Sequence, residues 1–236
     1  MAIALRSVGV SPGANTATCI IVKPAGLTIG DLMVAHVVTR GASVIQSMPA
    51  GFALIRYTDG TVKGRLCWKI ADAADVAAAD FTFTYVDATY HLGAISAFTG
   101  HDPVTPINAS NGDAPALQSV TPTSPEITPT VANCLICLLV GNNTLSTYLG
   151  YAIVNDNPGA WVEAYDFWWD NAVPISMAMG SAKRLQTTAT GDGTATSTIS
   201  GYWVAQLLAI APGADEGGIE DKSANMGAKM IAGKMI

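Results

Sequence analysis

Charge is scarce in this chain: 13% of its 236 residues are Asp, Glu, Lys or Arg, against 50% that are hydrophobic. That composition excludes a disordered chain, and so few charges leave apolar surface for other subunits to cover. The net charge of -6 offers nucleic acid no general attraction. Long apolar runs are also missing. The longest, residues 134–140, falls far short of the roughly 18 residues a membrane-spanning helix needs. Residues 1–13 hold one arginine and an apolar stretch too short for a signal peptide, which predicts assembly in a cytoplasm. Four cysteines are too few for a disulfide framework in a chain this long, as suits a reducing compartment.

Helical signal is nearly absent. Residues 71–79 are alanine-rich and allow one turn, with Asp72 or Asp75 near its start. What is present is alternation with a period of two. Phe81, Phe83 and Tyr85 alternate with Asp80, Thr82 and Thr84, and Leu66, Trp68 and Ile70 with Cys67 and Lys69, as in half-buried strands. Residues 202–210 are apolar on both faces, which predicts a central strand covered on both sides. Further strands are expected at 17–22, 32–39, 52–57, 93–98, 134–140, 175–185 and 194–199. Asp59-Gly60 marks a hairpin and Gly191-Asp192-Gly193 a turn. Six prolines between 103 and 129 make residues 102–129 a long ordered connection. There is no repeat at a period of roughly 20 to 50 residues. The expected fold is all-β: one antiparallel sandwich over residues 1–212, jelly-roll-like, followed by a flexible linker at 213–218 and a short helical tail at 219–236. In the tail a helix gathers Met226, Met230, Ile231 and Met235 on one side. Too short and glycine-rich to stand alone, the tail is expected to dock on a partner.

Signatures of chemistry are few. Cys134 and Cys137 have C-x-x-C spacing, but residues three apart in a strand point to opposite faces. One pair cannot complete a tetrahedral site, so both read as small buried hydrophobes. His36 and His91 fall in strands, and His101-Asp102 reads as a turn contact, since no G-x-S-x-G accompanies it. No phosphate-cradling glycine loop occurs. Glu126, Glu163, Asp166 and Asp170 are carboxylates of the type that cleaves sugars, with nothing but residue type behind them. No catalytic residue, metal ligand or cofactor is assigned. The one unusual cluster is residues 161–170, WVEAYDFWWD. Trp161, Trp168 and Trp169 with the interleaved acids suit a glycan-stacking platform. They equally suit a strand whose Tyr165, Phe167 and Trp169 face the core or a subunit contact, which is the commoner use of aromatics.

Several segments together resemble a known group. Residues 30–35 (GDLMVA), 49–52 (PAGF), 68–71 (WKIA), 81–84 (FTFT) and 94–103 (AISAFTGHDP) occur in that order. They are similar to β-sandwich proteins encoded among bacteriophage and prophage structural genes. The resemblance spans residues 1–212, most clearly 28–108, and leaves out the tail. It implies a non-enzymatic virion protein, decorating the capsid or forming part of a tail or fibre. Its expected partners are copies of itself, as a trimer or lattice, and other virion proteins. A carbohydrate- or receptor-binding module using residues 161–170 is the other class the residues allow, and fold alone decides neither.

Overall fold

The computed structural model describes residues 2–41, 45–154, 160–170, 173–185 and 187–214. The first half of the chain forms β1 (Ala4–Val10), β2 (Ala14–Val22), β3 (Leu32–Arg40), β4 (Ile45–Ser47), β5 (Ala53–Thr58), β6 (Val62–Ile70), a short helix α1 (Ala73–Ala77) and β7 (Asp80–Thr99). The strands pair in the order β1-β7-β3-β6-β5, and β2 and β4 flank the first part of β7. All of these pairings are antiparallel. The helix sits at the expected alanine-rich segment. Asp72 caps it by accepting from the Ala74 and Asp75 N–H groups, and the Asp75 side chain accepts from the Asp72 N–H.

β1 and β2 run along one side of β7 as a single strand broken at Ser11-Pro12-Gly13. β1 pairs with the end of β7 and β2 with its beginning. The resulting ribbon folds back over its own sheet, which brings Cys19 and Ile21 of β2 onto Gly93 of β7, and the Val22 carbonyl and Pro24 onto Gly9 of β1. Both approaches are too close for any side chain at the glycine, so Gly9 and Gly93 are the positions that let the ribbon double over. The flap's Phe81, Phe83, Tyr85, Cys19 and Ile21 cover Met33, Ala35, Val37, Ile95 and Ala97.

The second half forms β8 (Ile107–Asp113), β9 (Thr123–Ser124), β10 (Leu135–Asn142), β11 (Tyr148–Ile153), β12 (Val162–Trp169), β13 (Ile175–Lys183), β14 (Gly193–Ser197) and β15 (Trp203–Ile210). One sheet has the order β8-β15-β10-β13-β12, and a smaller one β9-β14-β11. Strand for strand this repeats the first half. β8 stands for β1, β9 for β2, β10 for β3, β11 for β4, β12 for β5, β13 for β6, and β14 with β15 for the two parts of β7. Register agrees as well: Leu32 pairs with Ile70 and Phe98, as Leu135 pairs with Lys183 and Ile210.

The two large sheets stack with β1 over β12, β5 over β8, β7 against β13 and β6 against β15. Exchanging the halves converts each of these contacts into another, so an approximate two-fold axis relates them. Leu32, Val34, Val38, Leu66 and Phe98 meet Cys137, Leu139, Met177, Met179 and Leu208 in the central core. The outer face of the second sheet packs Ile136, Leu138, Val140, Ala205 and Leu207 against Tyr148, Ile153 and Ala195 of the small sheet. Apolar on both faces, β3, β10 and β15 are central strands with both sides covered.

Buried hydrogen bonds from His36 and Gln206 cross the central core. His36 Nδ1 lies 2.9 Å from the Tyr165 hydroxyl, and Gln206 Nε2 donates to Thr58 Oγ1 at 2.8 Å and to the Gly64 carbonyl at 3.3 Å. Burial drives the His36 imidazole down to a pKa of about 3, so it bridges the sheets as a neutral ring.

The antiparallel all-β sandwich expected from the residue pattern is the architecture that forms. Each large sheet draws its strands from one half of the chain, whereas the paired Greek keys of a jelly roll pass strands between sheets. Residues 102–129 are not only a connection: β8 and β9 lie within them, between the prolines. The tail at 219–236, with Met226, Met230, Ile231 and Met235, lies outside the described residues, as does the linker beyond Ala214.

Near the two-fold axis equivalent positions meet. Val38 of β3 and Gly141 of β10 are counterparts, and a Cβ on Gly141 would lie 2.6 Å from Val38 Cγ1. Gly141→Ala is expected to lower stability by about 1–3 kcal/mol through overpacking. Val38→Ala in the same chain should recover part of that loss. Denaturant unfolding of the two single variants and the double variant measures the coupling.

Candidate functional site

The aromatic segment 161–170 contains β12, which among the described residues is an edge strand paired with β13 alone. A bulge between Glu163 and Tyr165 resets the alternation. Without it, residues 163 and 166 would face opposite ways; with it, Glu163, Asp166 and Trp168 share the outer face. Tyr165, Phe167 and Trp169 pack into the central core. Tyr165 is buried against His36, and Trp169 packs against Tyr90 with ring centroids 6.0 Å apart. Trp161 joins the outer core and stacks on Tyr151 at 5.9 Å and 26°. Trp168 is 49% exposed. The three tryptophans therefore make no single platform, because Trp169 faces away from the other two.

What gathers on the outer face is a polar and aromatic surface between β11 and β12. The outward residues of β13 are Ser176, Ala178, Gly180 and Ala182, small at every step, while its inward residues include Met177 and Met179. That bare strip leaves room for Tyr148 and Tyr151. A Cβ on Gly180 would run into the Tyr151 ring, which therefore lies flat against the strand. The Tyr151 hydroxyl donates to Glu163 Oε2 at 3.3 Å, and the Tyr148 N–H donates to Asp166 Oδ2 at 2.7 Å. Among the described residues Asp166 Oδ1 is a buried atom without a hydrogen-bond partner, while the buried Tyr148 and Ser176 hydroxyls face each other.

Burial pushes the Asp166 carboxyl up from 3.8 to about 6, the charge of Glu163 adds to this, and the Tyr148 N–H opposes it. Burial raises the Tyr148 and Tyr151 hydroxyls above the ordinary phenol value, and Asp166 adds to both shifts. They are therefore neutral donors. The surface offers an exposed indole face, two carboxylate acceptors and phenolic donors, which is chemistry for contact and hydrogen bonding.

Of the four carboxylates singled out in the sequence, Glu163 and Asp166 come together, while Glu126 and Asp170 are exposed elsewhere. Tyr148, Tyr151 and Ser176 carry the site and were not anticipated. The available signal was residues 175–183, ISMAMGSAK, where small and large residues alternate. Cys134 and Cys137 fall in different cores on opposite faces of the sheet. Burial lifts their thiols to about 11 and about 12. Among the described residues no cluster of three His, Cys, Asp or Glu side chains could hold a metal ion. His101 is buried and Asp102 accepts from the Val104 and Thr105 N–H groups, the turn contact expected of this pair.

Compared with known protein families, with curated proteins and with solved structures, the chain matches none.

Two outcomes follow from this geometry. Trp169→Ala truncates a side chain packed in the central core and should cost on the order of 3–5 kcal/mol. Trp168→Ala should cost far less, as thermal melts of the two variants would show. Asp166 has a folded pKa above its unfolded one, so its contribution to stability is largest below about 3.8 and is lost as pH rises through about 6. His36 works the other way: with a folded pKa of about 3 against 6.5 unfolded, it takes stability away on acidification. Asp166→Asn removes only the first contribution. The variant should melt above the native chain at pH 7.5 and lose that advantage progressively toward pH 4. A difference in melting temperature that does not vary with pH would show that Asp166 does not titrate in this way.

Proposed function

We propose that this chain is a non-enzymatic structural subunit of a bacteriophage virion, decorating the capsid or forming part of a tail or fibre. In this reading it works through contacts with copies of itself and with other virion proteins. The observation that carries the proposal is the placement of large apolar side chains on both outermost layers of a chain with few charges. Ile20, Val22 and Val86 are exposed on the flap of the first half, and Leu149, Val154 and Ile199 on the outer layer of the second. Apolar side chains gathered on exposed faces mark sites of association. The ordered resemblance of the GDLMVA, FTFT and AISAFTGHDP segments to phage structural proteins supports the same reading. So does the spacing of Met226, Met230, Ile231 and Met235 in the sequence of the tail, because the flexible methionine thioether adapts to an irregular groove.

A second reading, a carbohydrate- or receptor-binding module, is favoured by one feature, the exposed Trp168 beside Glu163 and Asp166. Aromatic faces stack on sugars, and carboxylates accept hydrogen bonds from their hydroxyls.

Sedimentation of the full chain, with and without residues 213–236, tests the first reading. The full chain is expected to form oligomers or to bind phage particles, and the truncated chain to keep its melting temperature but lose that association. A strict monomer at high concentration with no affinity for particles would overturn it. Glycan-array binding abolished by Trp168→Ala, with stability intact, would establish the second reading in its place.

A further inference from the structure

The outer face of β6 carries Lys63, Arg65, Cys67 and Lys69, at the positions that Ser176, Ala178, Gly180 and Ala182 hold in β13. In the second half Tyr148 and Tyr151 of β11 fill the space above this strand. In the first half β4, the counterpart of β11, is three residues long, and a depression remains. It lies among Thr39, Tyr57, Lys63, Arg65 and Tyr85 and holds about 10 Å³, room for one oxygen-sized group.

The basic side chains around this sheet have oxygen partners. Arg6 pairs with Asp31, Lys63 with Asp59, and Lys69 with Asp72 and Asp75. Arg56 donates to Asn111, and Arg40 to the Asn143 and Pro174 carbonyls. Arg65 differs. Half-buried, its guanidinium lies 4.9 Å from the centre of the Tyr57 ring, and among the described residues it has neither a carboxylate nor a hydrogen-bond acceptor. Its Nε is a buried donor without a partner. The Tyr85 hydroxyl lines the same depression on a side chain 1% exposed, and among the described residues it meets no oxygen or nitrogen acceptor, only the buried Cys19 thiol, a weak one. A buried donor left unmet is costly, so an unpartnered Arg65 Nε beside a phenol that meets only a thiol points to an acceptor from outside.

We propose that Arg65 and Tyr85 form a carboxylate-binding site on the outer face of β6. One carboxylate oxygen enters the depression and accepts from the Tyr85 hydroxyl and the guanidinium, and the other accepts along the guanidinium edge. Tyr57 holds the guanidinium by its face, which leaves the edge free for paired bonds to a planar anion. Lys63 and Asp59 neutralise each other at the rim, so Arg65 supplies the unbalanced charge. Burial raises Tyr85 well above the ordinary phenol value, and the hydroxyl stays a donor. The depression admits the head of a carboxylate and little more. Its bearer is therefore either a small free acid or an acidic side chain presented by a protein. The site stands apart from the reading of the chain as a virion subunit, and either can fail alone.

The test is a titration of the isotope-labelled full chain, following the Arg65 Nε–H signal by NMR. Acetate is added first, then an end-blocked Gly-Glu-Gly peptide, then inorganic phosphate. Both carboxylates, or one of them, should shift the signal saturably, and Tyr85→Phe should weaken that binding about tenfold while leaving the rest of the spectrum in place. Arg65→Gln should abolish it; should that variant fail to fold, Tyr85→Phe still decides. Tighter binding of acetate than of the peptide identifies a free acid, and the reverse order an acidic side chain. A linear, unsaturable drift with both carboxylates, phosphate binding tighter than either, or undiminished binding in Tyr85→Phe would overturn the assignment.

Discussion

The rest of the molecule depends on the burial of two apolar sheet faces against each other. Neither half could leave its inner face in water: Leu32, Val34, Val38 and Phe98 on one side and Cys137, Leu139, Met177 and Leu208 on the other would all be exposed. Apolar contact is not directional, and by itself it would allow the sheets to slide. The bonds from His36 to Tyr165 and from Gln206 to Thr58 and the Gly64 carbonyl are directional, and a slip would strand those polar groups in the core. His36 reaches from the first half to the edge strand β12 of the second, and Gln206 from the second half to the edge strand β5 of the first and to its neighbour β6. They stand in corresponding rows of the two sheets, His36 opposite Ala94 and Gln206 opposite Leu139.

With the inner faces committed to each other, the halves differ mainly outside them. The first covers its outer face with a flap cut from the same long ribbon, doubled over at Gly9 and Gly93. The second breaks that ribbon between β14 and β15 and makes a separate small sheet. Above β13 the space is filled by Tyr148 and Tyr151, and above β6 it is partly open beside Arg65. The two surfaces with notable chemistry thus arise at one place in the repeated unit. The inner faces are held by their need to fit one another, as Val38 fits Gly141, whereas the outer faces are free to diverge.

Much of the local structure was legible. Alternation in Phe81, Phe83 and Tyr85, apolar character on both faces of residues 202–210, the alanine-rich turn after Asp72 and the Asp102 turn all appear where the residues place them. The opposed directions of Cys134 and Cys137 follow from strand geometry alone. Each of these is set by neighbours in sequence and by the choice between water and core. The site was only half legible. Its aromatic residues stood out, but the bulge that turns Glu163 and Asp166 to one side leaves no mark in residue type. Tyr148 and Tyr151 come from a strand with no clear alternation.

By itself the sequence determined that this is an all-β chain with strands covered on both faces, because hydrophobic periodicity records how many sides of a strand meet water. Only the tertiary structure decided that the chain is one unit used twice. The halves share strand order and register, yet corresponding positions carry His36 and Leu139, Val38 and Gly141, Arg65 and Ala178. Close packing between unlike halves rewards complementary residues, large against small and donor against acceptor, and not identical ones. The two-fold relation is therefore written in hydrogen-bonded register and contact, where a comparison of residues along the chain does not reach.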